Sequence, residues 1–169
     1  YILGIPNEEV RQALNAMVLP ALTLRKQGDT VSLQANLYRQ LGTGQLDEAK
    51  KLMRALIADV PYSNKKLASM DMEERYRLII STILQALGVR VEVERMLATG
   101  RIDLVAWLSR YIYVIELKLS NNGGLAAAEQ QIRSCGYTEP FKADKRRVVG
   151  LAVELDSEGK GLVDWKVVE

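Results

Sequence analysis

The segment Tyr111–Leu119 combines the pattern of a buried strand with two side chains that could do chemistry. Its residues are almost all apolar, which is typical of a central strand covered on both faces. Glu116 and Lys118 interrupt this pattern, and because they are two residues apart their side chains point to the same face. Burying these charges is costly unless they pair with each other, with a metal ion or with a ligand. The alternative is an exposed strand end, where the two charges guard a sheet edge.

A second unusual residue, Asp103, interrupts the preceding predicted strand, although aspartate is disfavoured in strands. Strict alternation places Ile102, Leu104 and Ala106 on one face of this strand and Asp103, Val105 and Trp107 on the other. If the two strands form a hairpin, Asp103 approaches Glu116 and Lys118. Two neighbouring carboxylates repel each other, and a hard divalent cation relieves that repulsion. Alternatively, Asp103 caps a turn, since Gly100 lies three residues before it.

The composition excludes several other kinds of catalytic centre. The 169 residues contain no histidine, which removes histidine acid–base catalysis, histidine-dependent nucleophiles and histidine metal sites. The single cysteine, Cys135, excludes an intrachain disulfide and a cysteine zinc cluster. Basic residues number 23 and acidic residues 21, so any nucleic-acid contact must come from a local patch. The candidate patch consists of Lys142, Lys145, Arg146 and Arg147, although short basic runs are more often solvated surface.

The elements that must position these residues follow from the spacing of apolar residues. Helices are predicted after Asn7 and over Val31–Leu41, Leu46–Val60, Met72–Leu87 and Leu125–Cys135, with a turn at residues 42–44 and a linker at residues 62–70. Strands are predicted over Val89–Met96, Arg101–Leu108, Tyr111–Leu119, Arg147–Leu155 and Leu162–Val168. The order α-β-β-β-α-β-β predicts one mixed sheet with helices packed on it. We therefore expect a helical connector or bundle at residues 1–65 and an α/β domain at residues 66–169.

Asp103, a gap of twelve residues and then Glu116-Leu117-Lys118 resemble the signature of the PD-(D/E)XK nuclease superfamily. The surrounding words that strengthen this resemblance are Gly100-Arg-Ile-Asp-Leu-Val, Tyr113-Val-Ile-Glu-Leu-Lys-Leu, Gln131-Ile and Gly136-Tyr-Thr-Glu-Pro140. Together they are similar to a bacterial branch in which such a domain follows an AAA-ATPase-like region. Ile5-Pro-Asn-Glu-Glu-Val-Arg11 resembles the segment after that region. The resemblance implies a restriction-endonuclease-like mixed sheet flanked by helices.

The resemblance also implies a glutamate on the first core helix. Glu73 is the preferred candidate because it shares the inward stripe of that helix with Tyr76, whereas Glu74 falls on a more solvated row. Glu73 would equally suit the helix dipole, and Glu94 on the first strand is a further candidate. Arg77 departs from the branch, whose members often carry histidine after the tyrosine; this places only an auxiliary role in doubt.

A polar residue on the second core helix is also common in the superfamily. Gln131 fits this position because it lies on the packed side of that helix, whereas Gln130 points elsewhere. The alternative for Gln131 is an ordinary amide on the helix surface.

The function implied by the resemblance is Mg²⁺-dependent hydrolysis of nucleic-acid phosphodiesters, of DNA rather than RNA, with Mn²⁺ as a substitute. Asp103, Glu116 and the Leu117 carbonyl would hold the metal, and Lys118 would orient water and offset charge in the transition state. Glu73 would support the metal and Gln131 would orient Lys118 or a phosphate. The alternative is a catalytically silent nuclease-fold module that serves binding or regulation in a larger ATPase-containing protein.

The expected partners are nucleic acid and a missing N-terminal ATPase-like region of the same protein. No apolar run approaches the roughly 18–20 residues of a membrane helix, and the start lacks the pattern of a signal peptide. We therefore expect a cytoplasmic protein without a membrane partner. The first residue is tyrosine rather than methionine, so we expect a fragment or processed form.

Overall fold

Helices precede the sheet in the chain. The computed structural model describes residues 17–23, 27–61 and 69–168. Residues 17–23 are helical and are followed by α1 (Gln27–Thr43) and α2 (Leu46–Ala58), which confirms the helices predicted at residues 31–41 and 46–60. Residues 42 and 43, predicted as part of a turn, belong to α1. The helix predicted after Asn7 and the linker predicted at residues 62–70 lie largely outside the described residues.

The turn between α1 and α2 depends on glycine. Gly44 has a φ of 74°, a left-handed conformation that glycine adopts freely. A Cβ atom at this position would lie 2.5 Å from the Tyr111 hydroxyl oxygen. The turn therefore brings the end of α1 directly against the sheet.

The third helix, α3 (Met72–Ala86), begins at a side-chain cap and buries one face. Asp71 Oδ2 accepts a hydrogen bond of 3.1 Å from the Glu73 backbone N–H, which satisfies one of the free donors of the first turn. The buried apolar residues of the helix are Tyr76, Ile79, Ile80, Ile83, Leu84 and Ala86. The helix ends before Gly88, so the predicted stop is confirmed.

Five strands form one mixed sheet in the order β1-β2-β3-β4-β5. Their bounds are β1 Arg90–Leu97, β2 Gly100–Trp107, β3 Tyr111–Leu119, β4 Arg147–Leu155 and β5 Leu162–Val168. β3 and β4 are parallel, and the other neighbours are antiparallel. The parallel pair needs a crossover connection, which α4 (Gly124–Ser134) provides together with short 3₁₀ turns at Ser120–Asn122 and Glu139–Phe141. The predicted α-β-β-β-α-β-β order and the restriction-endonuclease-like class of mixed sheet are confirmed.

Apolar side chains fill the space on both faces of the sheet. On one face α1, α2 and α3 cover Tyr113, Ile115 and Leu117 of β3. On the other face α4 covers Ile112 and Val114 of the same strand. Because β3 is covered on both sides, its sequence reads as a continuous apolar run rather than as an alternating one.

The helices before the sheet are fixed to it by polar contacts as well. Tyr113 Oη donates a hydrogen bond of 2.7 Å to the Leu41 carbonyl, and Lys50 Nζ lies 2.7 Å from Asp164 Oδ1. Arg54 Nε donates to the Leu162 carbonyl at 3.0 Å, which covers the β5 edge. The helices before the sheet thus share one hydrophobic core with one of its faces. The domain boundary at residues 65 and 66 stays a prediction. Within the described ranges, no helix has the length and apolarity to cross a membrane.

Candidate active site

The strands β2 and β3 separate where the candidate catalytic residues lie. Their ladder runs from the pair Trp107 and Ile112 to the pair Leu104 and Ile115 and stops there. β3 continues beside β4 as far as Leu119, and β2 stays paired with β1 as far as Gly100, so β1 and β2 together diverge from β3. Asp103 and Glu116 are the next residues on the two strands. The divergence opens a cleft of about 370 Å³ that both carboxylates line.

Asp103 is held in the gap by two donors. It is 4% exposed, and its Oδ2 accepts a hydrogen bond of 2.9 Å from the Leu117 backbone N–H. Its Oδ1 accepts one of 3.1 Å from Arg77 Nε. The carboxylate therefore replaces the backbone acceptor that Leu117 would have in a continued ladder, and bridges β3 to α3.

Glu116 and Lys118 lie side by side on β3, as their spacing predicts. Lys118 Nζ donates a hydrogen bond of 3.0 Å to Glu116 Oε1. Glu116 is 1% exposed, and among the described side chains its Oε2 is the buried oxygen or nitrogen that lacks a hydrogen-bond partner. Such an atom is costly to bury unless a ligand completes its environment.

Burial and neighbouring charge shift both pKa values. Burial raises the pKa of Glu116 to about 7, and the Asp103 charge adds to this rise, while Lys118 opposes it. Burial acts to lower the pKa of Lys118, but the hydrogen bond and charge of Glu116 outweigh it, with help from Glu73 and Asp103, so the Lys118 pKa is raised. The site thus holds a carboxyl that titrates near neutrality beside a fixed cation.

Two helices complete the walls of the cleft. Glu73 of α3 lines it, whereas Glu74 is exposed and does not. Gln131 of α4 lines the opposite side, where its Nε2 donates a hydrogen bond of 3.1 Å to the Tyr137 hydroxyl. Tyr137 in turn donates to the Arg101 carbonyl at 3.0 Å. The fold therefore brings Glu73 and Gln131 to the same cleft as the D…ExK residues; their roles stay predictions.

Arg77, noted in the sequence only as a departure from the branch, makes contacts in the site that sequence reasoning missed. It is buried, although it lies on the apolar stripe of α3 one turn after Glu73. Its guanidinium bonds Asp103 and also lies 2.9 Å from Glu94 Oε1 and 3.8 Å from Glu73 Oε1. The available signal was its position on the inward face of the helix, where an arginine needs acidic partners.

The strand β1 is irregular beside Asp103. Residues on both sides of Glu94 and Asp103 pair in one register, but these two residues do not pair. Glu94 has a φ of 53°, which is uncommon for a residue other than glycine. Past this point Ile102 packs with Val105 on the α4 side of the sheet. The prediction that Ile102 shares a face with Leu104 and Ala106 is wrong, because the distortion breaks the alternation.

The predicted phosphate-binding patch lies away from the cleft. Lys142 and Arg146 line a separate groove, and each is engaged by an acidic neighbour. Lys142 Nζ lies 2.5 Å from Glu139 Oε1, and Arg146 Nη2 lies 2.7 Å from Asp144 Oδ2. Lys145 and Arg147 are exposed, as solvated surface residues are. A contact between this patch and nucleic acid stays a prediction.

Comparison with known proteins identifies the family. Residues 71–165 match the family PD-(D/E)XK nuclease superfamily. The chain belongs to this superfamily. It is also 27% identical over 176 residues to an uncharacterized protein in the vnfD 5' region of Azotobacter chroococcum mcd 1. That similarity covers 99% of this chain but 32% of the relative's length. No solved structure matches the chain.

Nucleases of the PD-(D/E)XK superfamily generally use divalent metals. The carboxylate oxygens of Asp103 and Glu116, which line the cleft, are of the kind that hard divalent cations prefer. In the part of the chain that the structure describes, no three Asp, Glu or Cys side chains cluster as a metal site. Mg²⁺ needs fewer, since one or two carboxylates usually hold it together with water and substrate phosphate. Asp103 and Glu116 provide two. The Leu117 carbonyl as a further ligand stays a prediction.

Proposed function

We propose that this nuclease-superfamily domain hydrolyses phosphodiester bonds of nucleic acid, DNA rather than RNA, in a Mg²⁺-dependent reaction. The observation that carries the proposal is the buried Glu116 Oε2, which lacks a partner among the described residues and belongs to a side chain that lines the cleft together with Asp103. A sheet that served only as a scaffold would be as stable with apolar residues at both positions.

Asp103, Glu116 and the Leu117 carbonyl would hold Mg²⁺ or Mn²⁺. When bound, such an ion polarises a phosphate oxygen and makes water more acidic. Asp103 is already oriented for this role, since Arg77 and the Leu117 N–H fix both of its oxygens. Glu116 must release its proton to bind a cation, which its pKa of about 7 allows at neutral pH.

Lys118 would act on the transition state. Its side chain is 15% exposed and lines the cleft, so it presents an ammonium group to a substrate while Glu116 holds its position. There it would orient a water molecule and offset the negative charge that develops on the phosphate. Gln131 would offer its amide to the same phosphate, with its orientation set by Tyr137.

Replacing Lys118 with methionine tests this role. Methionine keeps the aliphatic stem and removes the charge, so packing is largely preserved. We expect Mg²⁺-dependent nicking of plasmid DNA to fall on the order of 100-fold or more, as for the loss of one preorganised donor. DNA affinity measured in Ca²⁺ should change much less. Lys51→Met, at an exposed lysine of α2, is the matched control and should cleave like the wild type.

Two outcomes would contradict the proposal. If Lys118→Met cleaves as fast as the wild type, the assigned catalytic role is wrong. If the wild-type chain is inert in Mg²⁺ and Mn²⁺, both alone and within any longer protein that carries it, the nuclease function itself is wrong.

A second candidate function is a catalytically silent module that binds or regulates. The contact that favours it is the Arg77–Asp103 ion pair, which already gives the central carboxylate a cationic partner. The ion pairs of Lys142 with Glu139 and of Arg146 with Asp144 also favour a silent module, because they neutralise two cations that could otherwise contact phosphate. Inert protein that still binds DNA in Ca²⁺ would support this function.

We further propose that the domain works within a longer protein that carries an AAA-ATPase-like region. The support is the resemblance of residues 5–11 to the segment after such a region, together with the 32% share of the Azotobacter relative that the chain spans.

A further inference from the structure

The guanidinium of Arg77 lies among carboxylates from three elements. Its Nε donates a hydrogen bond of 3.1 Å to Asp103 of β2. Its Nη1 lies 2.9 Å from Glu94 of β1, and its Nη2 lies 3.8 Å from Glu73 of α3. The Arg77 and Asp103 side chains are 11% and 6% exposed, so water and salt screen the contact between them only weakly.

We propose that Arg77 is a built-in cation that takes the place of a second divalent ion, so that the site binds one metal ion. This inference rests on the proposed function. Nucleases with two metal ions hold them about 3.5–4 Å apart. Such a pair needs carboxylates to share between the ions, and Asp103 and Glu73 are the acidic side chains of the cleft that remain beside Glu116. Both already face Arg77.

The two oxygens of Asp103 show which side of this carboxylate a metal ion could occupy and which side Arg77 occupies. Oδ2 faces the Leu117 N–H, on the β3 side where Glu116 also lies. Oδ1 is hydrogen-bonded to Arg77 on the α3 side. A first ion on the β3 side leaves the arginine in place, whereas a second ion between Asp103 and Glu73 would meet the positive charge of Arg77 at close range.

The local charge balance also favours one ion. The carboxylates in and beside the cleft are Glu73, Glu94, Asp103 and Glu116, and the cations that pair with them are Arg77, Arg101 and Lys118. Four acidic groups against three basic groups leave a net charge of −1, so one divalent ion already exceeds it and a second would add two uncompensated positive charges.

The left-handed backbone at Glu94 supports a fixed position for Arg77. Glu94 does not line the cleft, and its carboxylate contacts Arg77 and Arg101 instead. Residues in sparsely populated backbone regions persist where surrounding contacts demand them. Glu94 therefore acts as a positioning residue that holds the Arg77 guanidinium in place from outside the cleft.

Counting bound Mn²⁺ tests the inference without nucleic acid or turnover. Free Mn²⁺ is measured by electron paramagnetic resonance and bound Mn²⁺ by calorimetry, on the whole chain at pH 8. We expect one ion per chain for the wild type and for Arg77→Lys, which keeps the charge. We expect two for Arg77→Gln, and one again when Glu73→Gln is added to it.

Folding is checked by near-ultraviolet circular dichroism. Where Arg77→Gln does not fold, because it leaves buried carboxylates uncompensated, the double variant Arg77→Gln with Glu94→Gln carries the test and should bind two ions. Two ions on the wild type, or one ion on a folded Arg77→Gln protein, would overturn the inference and leave the proposed metal site standing. No ion on any variant would refute the proposed function and this inference with it.

Discussion

Replacing Glu116 with glutamine should remove a pH dependence of stability that the wild-type chain carries. Burial raises the pKa of this carboxyl from 4.5 to about 7, and the neighbouring Asp103 charge adds to the rise. In the unfolded chain the pKa returns to its ordinary value. Between these two values the folded state keeps a proton that the unfolded state releases. The free energy of unfolding therefore falls as the pH rises from about 4.5 to about 7.

The size of the effect follows from the shift in pKa. A tenfold change in proton affinity corresponds to about 1.4 kcal/mol, so the wild type should lose about 3 kcal/mol over this range through Glu116. Glutamine keeps an oxygen that accepts from Lys118. Its amide nitrogen replaces Oε2 as the unpaired buried group, and because this nitrogen carries two donors where a protonated carboxyl carries one, the change costs about 1 kcal/mol at every pH. We expect Glu116→Gln to be more stable than the wild type by about 2 kcal/mol at pH 8.

Urea unfolding followed by tryptophan fluorescence, in EDTA and at several pH values from 4.5 to 8, measures this difference. Trp165 is 7% exposed and reports on the core. Glu74→Gln is the matched control, because Glu74 is an exposed glutamate of α3 and should leave the pH dependence unchanged. Parallel stability curves for the wild type and Glu116→Gln would refute the reasoning. A loss of several kcal/mol at every pH would instead mark Glu116 and Lys118 as a structural ion pair.

Two further predictions concern the cleft. Asp103→Asn should abolish the calorimetric heat of Mn²⁺ binding, and equal heats from the wild type and this variant would remove Asp103 from the metal site. The affinity of the wild type for Mn²⁺ should fall about tenfold per pH unit below pH 7, because Glu116 must release its proton to bind the ion. Gly100→Ala should destabilise the chain by about 1–3 kcal/mol in urea, since a Cβ there would lie 2.7 Å from the Tyr137 hydroxyl. Gly42→Ala, in α1 with nothing within 4 Å, is the control and should be neutral or stabilising.

The elements of the sheet could be predicted because their signals are local. The bounds of β3, β4 and β5 agree with the prediction, since their apolar runs end at residues that are typical of turns. The mixed topology also follows from the element order, because α4 supplies the crossover that a parallel pair needs. What failed was the alternation at Ile102. It depends on the left-handed residue Glu94 of the neighbouring strand, and the sequence carries no sign of that conformation.

The candidate site also has a part that could be predicted from the sequence and a part that could not. Glu116 and Lys118 are two residues apart on one strand, so their contact is fixed by the geometry of the strand itself. The inward position of Arg77 on α3 could be seen in the sequence, but its partners Glu94 and Asp103 could not, because they lie on β1 and β2 and become neighbours only when α3 packs against those strands. Its burial follows from those contacts and not from any local preference of arginine.

The divergence of β2 from β3 links the stability of the sheet to the proposed chemistry. A continued ladder would pair the Leu117 N–H with a backbone carbonyl and close the space beside Glu116. Asp103 uses its side chain for that hydrogen bond instead, so the strands separate and the carboxylates face a cleft. The separation leaves Glu116 buried with a raised pKa, which lowers stability at neutral pH. Such a loss is expected where binding a ligand restores it, and a divalent cation is the ligand that two carboxylates and a carbonyl would accept.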